Sequence, residues 1–332
     1  MGFETQDVEQ KVLAILDTLL DSREAVGSRI IAKKLKDRGI DLSERAVRYH
    51  LKMMDEKGLT RLVGRRDGRV ITELGRAELK EAMVTHKVGY ALPRIEMLSF
   101  RTNFNWEKRT GSIPVNVSFF EKKDFAKALK VMKSVFKADL CASRLVAVAQ
   151  GGEAIGDLVV PEGKVGFATV CSIVFSGTLL QEGVPIDSKF GGILQIRNRN
   201  PVRFVEIIHY AGSSLDPTEI FIRANMTTVS QVVKVGSGRI LANYREIPAI
   251  CKPLAEEVRD KLIDVGIGGV LFIGNASDPV CEVPIELNRI GVVLIGGLNP
   301  VAAVAEAGII GESHAMSTIM DYQELVNVSE II

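Results

Sequence analysis

Apolar positions recur at helical spacing through the first 85 residues, and after residue 110 they alternate or form continuous strand-like runs. Over 5–21, Val8, Val12, Ile15, Leu16 and Leu19 share one side of a helix. A shorter amphipathic stretch, 28–38, is closed by Gly39. A third helix is predicted over 44–57, with Ala46, Val47, Leu51 and Met54 on one face. Ser43 opens it as an N-cap, because its hydroxyl can accept from an orphan backbone N–H, and Gly58 closes it. Two short β-like runs, 60–63 and 70–72, flank the turn Gly64-Arg65-Arg66-Asp67-Gly68-Arg69, and a helix over 72–84 follows. Helix, tight connection, helix and basic hairpin form a winged helix-turn-helix, whose second helix enters the major groove while the wing lies over phosphates.

Charge sharpens that reading. The whole chain carries a net charge of +1, yet residues 23–69 hold 14 Lys and Arg against 7 Asp and Glu. Positive charge is concentrated where a polyanion needs it. Arg48, Tyr49 and Lys52 are expected to face the major groove, Ser43 and Arg45 to lie near phosphate, and Arg65, Arg66 and Arg69 to sit on the wing. The expected partner is double-stranded DNA.

The organisation predicted is an α+β multidomain chain: a winged helix-turn-helix over 1–85, a linker over 86–110, and an α/β effector-binding and dimerisation domain over 111–332. Pro93 and a polar stretch mark the linker, part of it packed through Ile95, Met97, Leu98 and Phe100. Beyond it the chain matches itself at an offset of 125 residues. Gly111 meets Gly236, Glu121 meets Glu246, the run 145–149 meets 270–274, VGFATVCS at 165–172 meets IGVVLIGG at 290–297, and Gly183 meets Gly308. The pattern predicts two strand-helix-strand-strand-helix-strand repeats, 111–188 and 236–313, about a pseudo-two-fold axis. Between them lies a β-rich insert, 189–235, with strands expected at 191–197, 203–210 and 220–232.

Candidate chemistry is sparse. Cys141, Cys171, Cys251 and Cys281 are scattered with no C-x-x-C pair, and the four histidines stand apart, so free thiols are expected and no metal site. No nucleophile, acid or base arrangement declares itself, so no enzyme and no cofactor are expected. There is no run of 18 apolar residues and no signal-peptide pattern, which predicts a cytoplasmic protein without a membrane partner. One anion site suggests itself: the strand carrying Cys171 and Ser172 leads into Ser176-Gly177-Thr178, read as a helix-opening turn with free N–H groups and hydroxyls. Residues 296–300 occupy the same place in the second half. Two helix N-termini on one cleft suit a ligand with two acidic ends.

The winged helix, together with TVCSIVFSG (169–177), FGGILQI (190–196), GSGRILANYREIP (236–248) and GGLNPVAAVAEAG (296–308), resembles the archaeal nitrogen-regulation repressor family NrpR. The resemblance covers nearly the whole chain. It implies a homodimeric or higher repressor of nitrogen-assimilation genes that binds palindromic operators, with a paralogous repressor subunit as a further partner. It also implies 2-oxoglutarate as the inducer that releases DNA. Arg223, Arg239 and Arg245, with His209 behind them, are the candidate partners for its second carboxylate. Some family members carry two effector domains after one winged helix, and this chain has one. The residues themselves leave open a regulator of the same shape that senses another small acid, a metal or a redox signal, and an enzyme fused to a winged helix.

Overall fold

The computed structural model describes every residue except 1, 21, 23–24, 38–39, 65–67, 82–90 and 332. The chain divides into two compact units, Met1–Val88 and Gly89–Ile332. In the first, α1 (Gly2–Leu20), α2 (Ser28–Asp37), α3 (Glu44–Glu56), the hairpin of β1 (Thr60–Gly64) and β2 (Gly68–Ile71), and α4 (Glu73–Glu81) form a winged helix. Its core is the apolar set legible from helical spacing: Ile15, Leu16 and Leu19 pack with Ile31, Leu35, Val47, Leu51, Met54, Leu59 and Ile71. Ser43 caps α3 by accepting from the Ala46 N–H at 3.2 Å, and Gly58 follows it at φ 72°.

The second unit begins with α5 (Ala91–Arg101), where a linker was expected. Pro93 sits in its first turn, where proline costs no hydrogen bond, so it does not break the helix. Ile95 and Leu98 are buried as the expected packing requires, joined by Ala91, and Met97 is half-buried, but Phe100 points outward, 81% exposed.

Two repeats follow. The first contains β3 (Ser112–Glu121), α6 (Lys122–Lys137), β4 (Leu145–Gln150), the small hairpin β5 (Ala154–Ile155) and β6 (Leu158–Val159), then β7 (Lys164–Val170), α7 (Ile173–Gln181) and β8 (Asp187–Arg197). After β9 (Asn200–His209), α8 (Pro217–Arg223) and α9 (Val229–Val235), the second contains β10 (Gly238–Pro248), α10 (Lys252–Asp264), β11 (Val270–Ile273), β12 (Arg289–Ile295), α11 (Asn299–Glu306) and β13 (Gly311–Asp321). The chain ends with β14 (Val326–Asn327).

Each half gives its last strand to the other. The sheets run β13-β3-β7-β4-β14 and β11-β12-β10-β8-β9, every pairing antiparallel. The two halves therefore share one strand order, with β13 beside β3 and β8 beside β10. Their helices interlock in the same reciprocal way, α6 against α11 and α7 against α10. β7 and β12 are buried along almost their whole length, which is why they read as continuous apolar runs.

The self-match needs one correction. β4 and β11, and likewise β7 and β12, begin 125 residues apart. By register, however, Val115 opposes Val170 while Ala242 opposes Ile295, so the first strands are 127 residues apart. The helix ends follow them: Leu140 donates to the Val135 carbonyl as Ile267 does to that of Leu262. The loop before β4 is thus two residues longer than the loop before β11, and Glu121 and Glu246 are not equivalent.

The insert also differs from expectation. β8 completes a repeat, and the stretch 220–232 holds the end of α8 and the start of α9, with 224–228 between them. Burial of Phe221, Val229 and Val232 outweighs their strand propensity. Asp216 caps α8 locally, accepting from Thr218 and Glu219, but α9 is capped by distant Glu306, which accepts from the Val229 and Ser230 N–H groups at 2.6 and 2.9 Å.

Asn299 is wholly buried and joins α11 to β10, accepting from the Leu241 N–H and donating to the Leu241 carbonyl. Asn299→Leu leaves the Leu241 N–H unpaired, while the Leu241 carbonyl keeps the Gly296 N–H at 2.8 Å, so it should cost about 1–3 kcal/mol in denaturant unfolding.

Candidate functional site

The winged unit presents one buried and one free face of α3. Val47, His50, Leu51 and Met54 are buried, while Arg45, Arg48, Tyr49 and Lys52 are exposed, Tyr49 at 64%. Arg48 and Lys52 make only long, exposed contacts with Glu44 and Glu56, at 3.9 and 4.0 Å, which a phosphate can displace at little cost. Arg69 is different. Its Nε donates to Asp55 at 2.7 Å, and Asp55 also accepts from the Thr60 hydroxyl, so Arg69 ties the wing to α3. Arg65 and Arg66 lie outside the described residues.

A second site lies where the two halves of the effector unit meet, a small, partly open cavity of about 20 Å³. Cys171, Ser172 and Ile173 bring the start of α7 to it, and Gly297 and Leu298 bring the start of α11. The pseudo-symmetry is carried by two asparagines. Asn116 opposes Thr169 and Asn243 opposes Leu294, equivalent places in the two sheets. Each crosses to the other half. Asn243 donates to the Ser172 hydroxyl at 3.0 Å and accepts from the Tyr210 hydroxyl. Asn116 lies against Gly297, where a Cβ would come within 2.7 Å of its Nδ2 and 2.4 Å of the Val170 carbonyl. Glycine at 297, the counterpart of Ser172, is therefore what lets the halves close.

Charge breaks the symmetry. Arg245, 1% exposed, occupies the place held by Ser118 in the first half. Its guanidinium lies 5.0 Å from the centre of the Tyr210 ring, and its Nε has no hydrogen-bond partner. Among the described residues no carboxylate lies within ion-pair distance of it. A buried cation without a close counter-ion costs several kcal/mol, and a bound anion would relieve that. Nearby Asp216 is half-buried; desolvation raises its carboxyl, while hydrogen bonds to Thr218 and Glu219 and the charge of Arg245 pull the other way. Burial pushes the Cys171 thiol up to about 11, which keeps it protonated and unreactive.

Of the expected ligand residues, the structure gathers Cys171, Ser172 and Arg245 at this cavity. The others stand elsewhere. α7 begins at Ile173, so Ser176, Gly177 and Thr178 are inside the helix and not at its opening. Thr178 donates to the Val174 carbonyl, and Gly177 makes room for Thr102 and Ser99. Arg223 is exposed and paired with Glu219 at 3.4 Å. Arg239 and His209 are exposed, the imidazole edge-on to Phe190. Asn116, Tyr210, Asp216 and Asn243 were not foreseen. Buried polar residues inside apolar strands, Asn116 in VNVSFF and Asn243 in ILANY, were the available signal.

Cys141 is buried, whereas Cys251 and Cys281 are half-buried, and all four cysteines are free thiols. Among the described residues no cluster of His, Cys, Asp or Glu could hold a metal, and no helix is long and apolar enough to cross a membrane.

A winged helix joined to a duplicated α/β unit with a small pocket between its halves defines a winged-helix transcriptional regulator. Residues 88–327 match the family described as NrpR regulatory domains NRD1 and 2, and residues 13–79 match the ribonuclease R winged-helix domain. The global nitrogen regulator NrpRI of Methanosarcina mazei is 37% identical over 321 residues, covering 97% of this chain and 98% of that protein. The global nitrogen regulator NrpR of Methanocaldococcus jannaschii is 33% identical over 324 residues, covering 96% of this chain but only 55% of that longer protein. The crystal structure of a nitrogen repressor-like protein from Methanococcus jannaschii matches with a TM-score of 0.62 at 27% identity, covering 72% of this chain and 98% of that one. The chain belongs to the NrpR family of nitrogen regulators.

Beside the pocket, Glu219 accepts from the Ala315 N–H at 2.8 Å, and desolvation raises its carboxyl from 4.5 to about 7. The native state holds this proton more tightly than the unfolded chain, so its contribution is complete below pH 4.5 and is lost as pH rises towards 7. Glu219→Gln should therefore flatten the fall in stability between those values, by on the order of 3 kcal/mol, in denaturant unfolding at a series of pH values.

Proposed function

We propose that the chain is a DNA-binding repressor of nitrogen-assimilation genes, that it acts as a homodimer on palindromic operators, and that 2-oxoglutarate releases it. The observation that carries the ligand reading is the buried Arg245, its Nε unpartnered, beside a cavity onto which two helix starts converge. 2-Oxoglutarate is a dianion with a ketone between its acidic groups. One carboxylate takes Arg245 and the Ser172 hydroxyl as partners, and the Asn116 amide and the backbone at Gly297 serve the other end. Two helix starts favour negative charge on both sides. A ligand lacking the second acid would leave the donors on one half unused. The M. mazei relative, matched over almost its full length, supports the nitrogen regulon as the target.

For DNA, α3 supplies the reading head through Arg48, Tyr49 and Lys52, with Arg45 against phosphate. The exposure of all four, beside the buried face of the same helix, supports this assignment. Arg48→Ala should lower operator preference by ~1–3 kcal/mol while leaving binding to random DNA almost unchanged. Equal loss on both would remove Arg48 from base reading.

The test of the ligand is calorimetric titration of the intact protein with 2-oxoglutarate, in parallel with operator binding. Saturable heat and loss of operator affinity are expected. Arg245→Gln should weaken the ligand by about 10- to 100-fold while operator binding persists, as expected for loss of a charge-assisted contact. No heat and no competition with operator in the wild type would rule out 2-oxoglutarate, and succinate and citrate titrations would show whether another small acid takes its place.

A further inference from the structure

The pocket is backed by the helix at which the chain enters the effector unit. α5 follows residues 82–90, which connect it in sequence to the winged helix. Its buried residues Ala91, Ile95 and Leu98 form one apolar cluster with Cys171, Ile173, Tyr210 and Met316. All four of those partners line the cavity.

Polar contacts fasten the same helix to two walls. Arg94 donates from Nε to the Met316 carbonyl and from a terminal nitrogen to the Ser317 carbonyl, both at 2.7 Å. The Ala91 N–H donates to the carbonyl of Ser213, between the pocket residues Tyr210 and Asp216. The Met316 wall is a bulge in β13. His314 pairs with Val117 and Thr318 with Val115, so Ala315, Met316 and Ser317 all pass Asn116. In the other sheet Gly191 alone pairs with Asn243. Met316 has φ 51°, and its N–H donates to Asn116 Oδ1 at 3.0 Å. A non-glycine residue in the left-handed region is strained, and it is held there by its neighbours.

We propose that α5 senses occupancy of this pocket and passes it along the chain towards the winged helix, with Arg94 as the positioning residue that joins α5 to the Met316 bulge. The proposal rests on the reading of the cavity as the effector site. A carboxylate that accepts from Asn116 Nδ2 turns the amide as a unit and draws its Oδ1 away from the Met316 N–H, so the bulge shifts. Its two carbonyls carry Arg94, and Arg94 carries α5. Ligand energy then biases a two-state element, which is what release of DNA requires.

Arg94→Gln in the intact protein tests this, with 2-oxoglutarate as the probe. Ligand affinity by calorimetry and ligand-free operator affinity should each stay within about threefold of wild type, while the loss of operator affinity at saturating ligand should shrink by about tenfold or more. Hydrogen exchange on the wild type gives a measurement independent of the variant: the amides of 91–101 should change protection when ligand is added. Normal ligand-induced release from the variant would overturn the role of Arg94. Loss of release only in step with loss of ligand affinity would do the same, since Arg94 would then merely shape the pocket. Unchanged exchange across α5 in a wild type that binds the ligand would overturn the role of the helix. A wild type that binds no 2-oxoglutarate fails earlier, at the site reading itself.

Discussion

The exchange of β8 and β13 is the constraint on which the rest of the effector unit depends. Because each sheet is completed by a strand of the other repeat, neither half can bury its first strand alone. The exchange also brings the starts of α7 and α11 towards one axis. With both helix starts there, the crossing asparagines 116 and 243 become the natural lining, and only glycine at 297 allows the approach. The pocket is thus a product of the topology before any particular ligand is considered.

Function enters where the two-fold symmetry fails. Arg245 against Ser118 gives the cavity a cation that the symmetry does not repeat, and the three-residue bulge opposite Asn116 gives it a wall with no counterpart at Asn243. A symmetric cavity would bind a diacid in two equivalent orientations and could not favour one direction of movement. Both departures, the cation and the bulged strand, line the same cavity. The winged unit keeps its own asymmetry, with Arg69 spent on holding Asp55 and Arg48 left to reach outward.

Legibility in the sequence followed the range of the forces involved. The winged helix was readable because its caps, turns and apolar faces are local, down to Ser43 and Gly58. The repeats were readable from β7 and β12, whose two-sided burial makes them continuous apolar runs. Where structure depends on distant partners, the reading failed. α9 resembles a strand because its cap, Glu306, lies far along the chain. Pro93 suggested a linker because the pocket that buries α5 is assembled from residues 171–316. Ser176 and Thr178 were misplaced by one helical turn, since Ser172 ends its strand without a side-chain cap to mark the helix start. Among three candidate arginines only burial distinguishes Arg245, and burial is not written in composition.

The strand exchange also sets the order in which the chain can become safe from itself. β3 emerges in synthesis well before β13, the strand that seals its outer edge. Until then an apolar strand, buried from Ile113 to Phe120 in the finished protein, presents unpaired backbone groups. Contacts of such long sequence separation form slowly. A nascent chain therefore passes through a prolonged open-edged state, in which the strand of another copy can take the place reserved for its own β13.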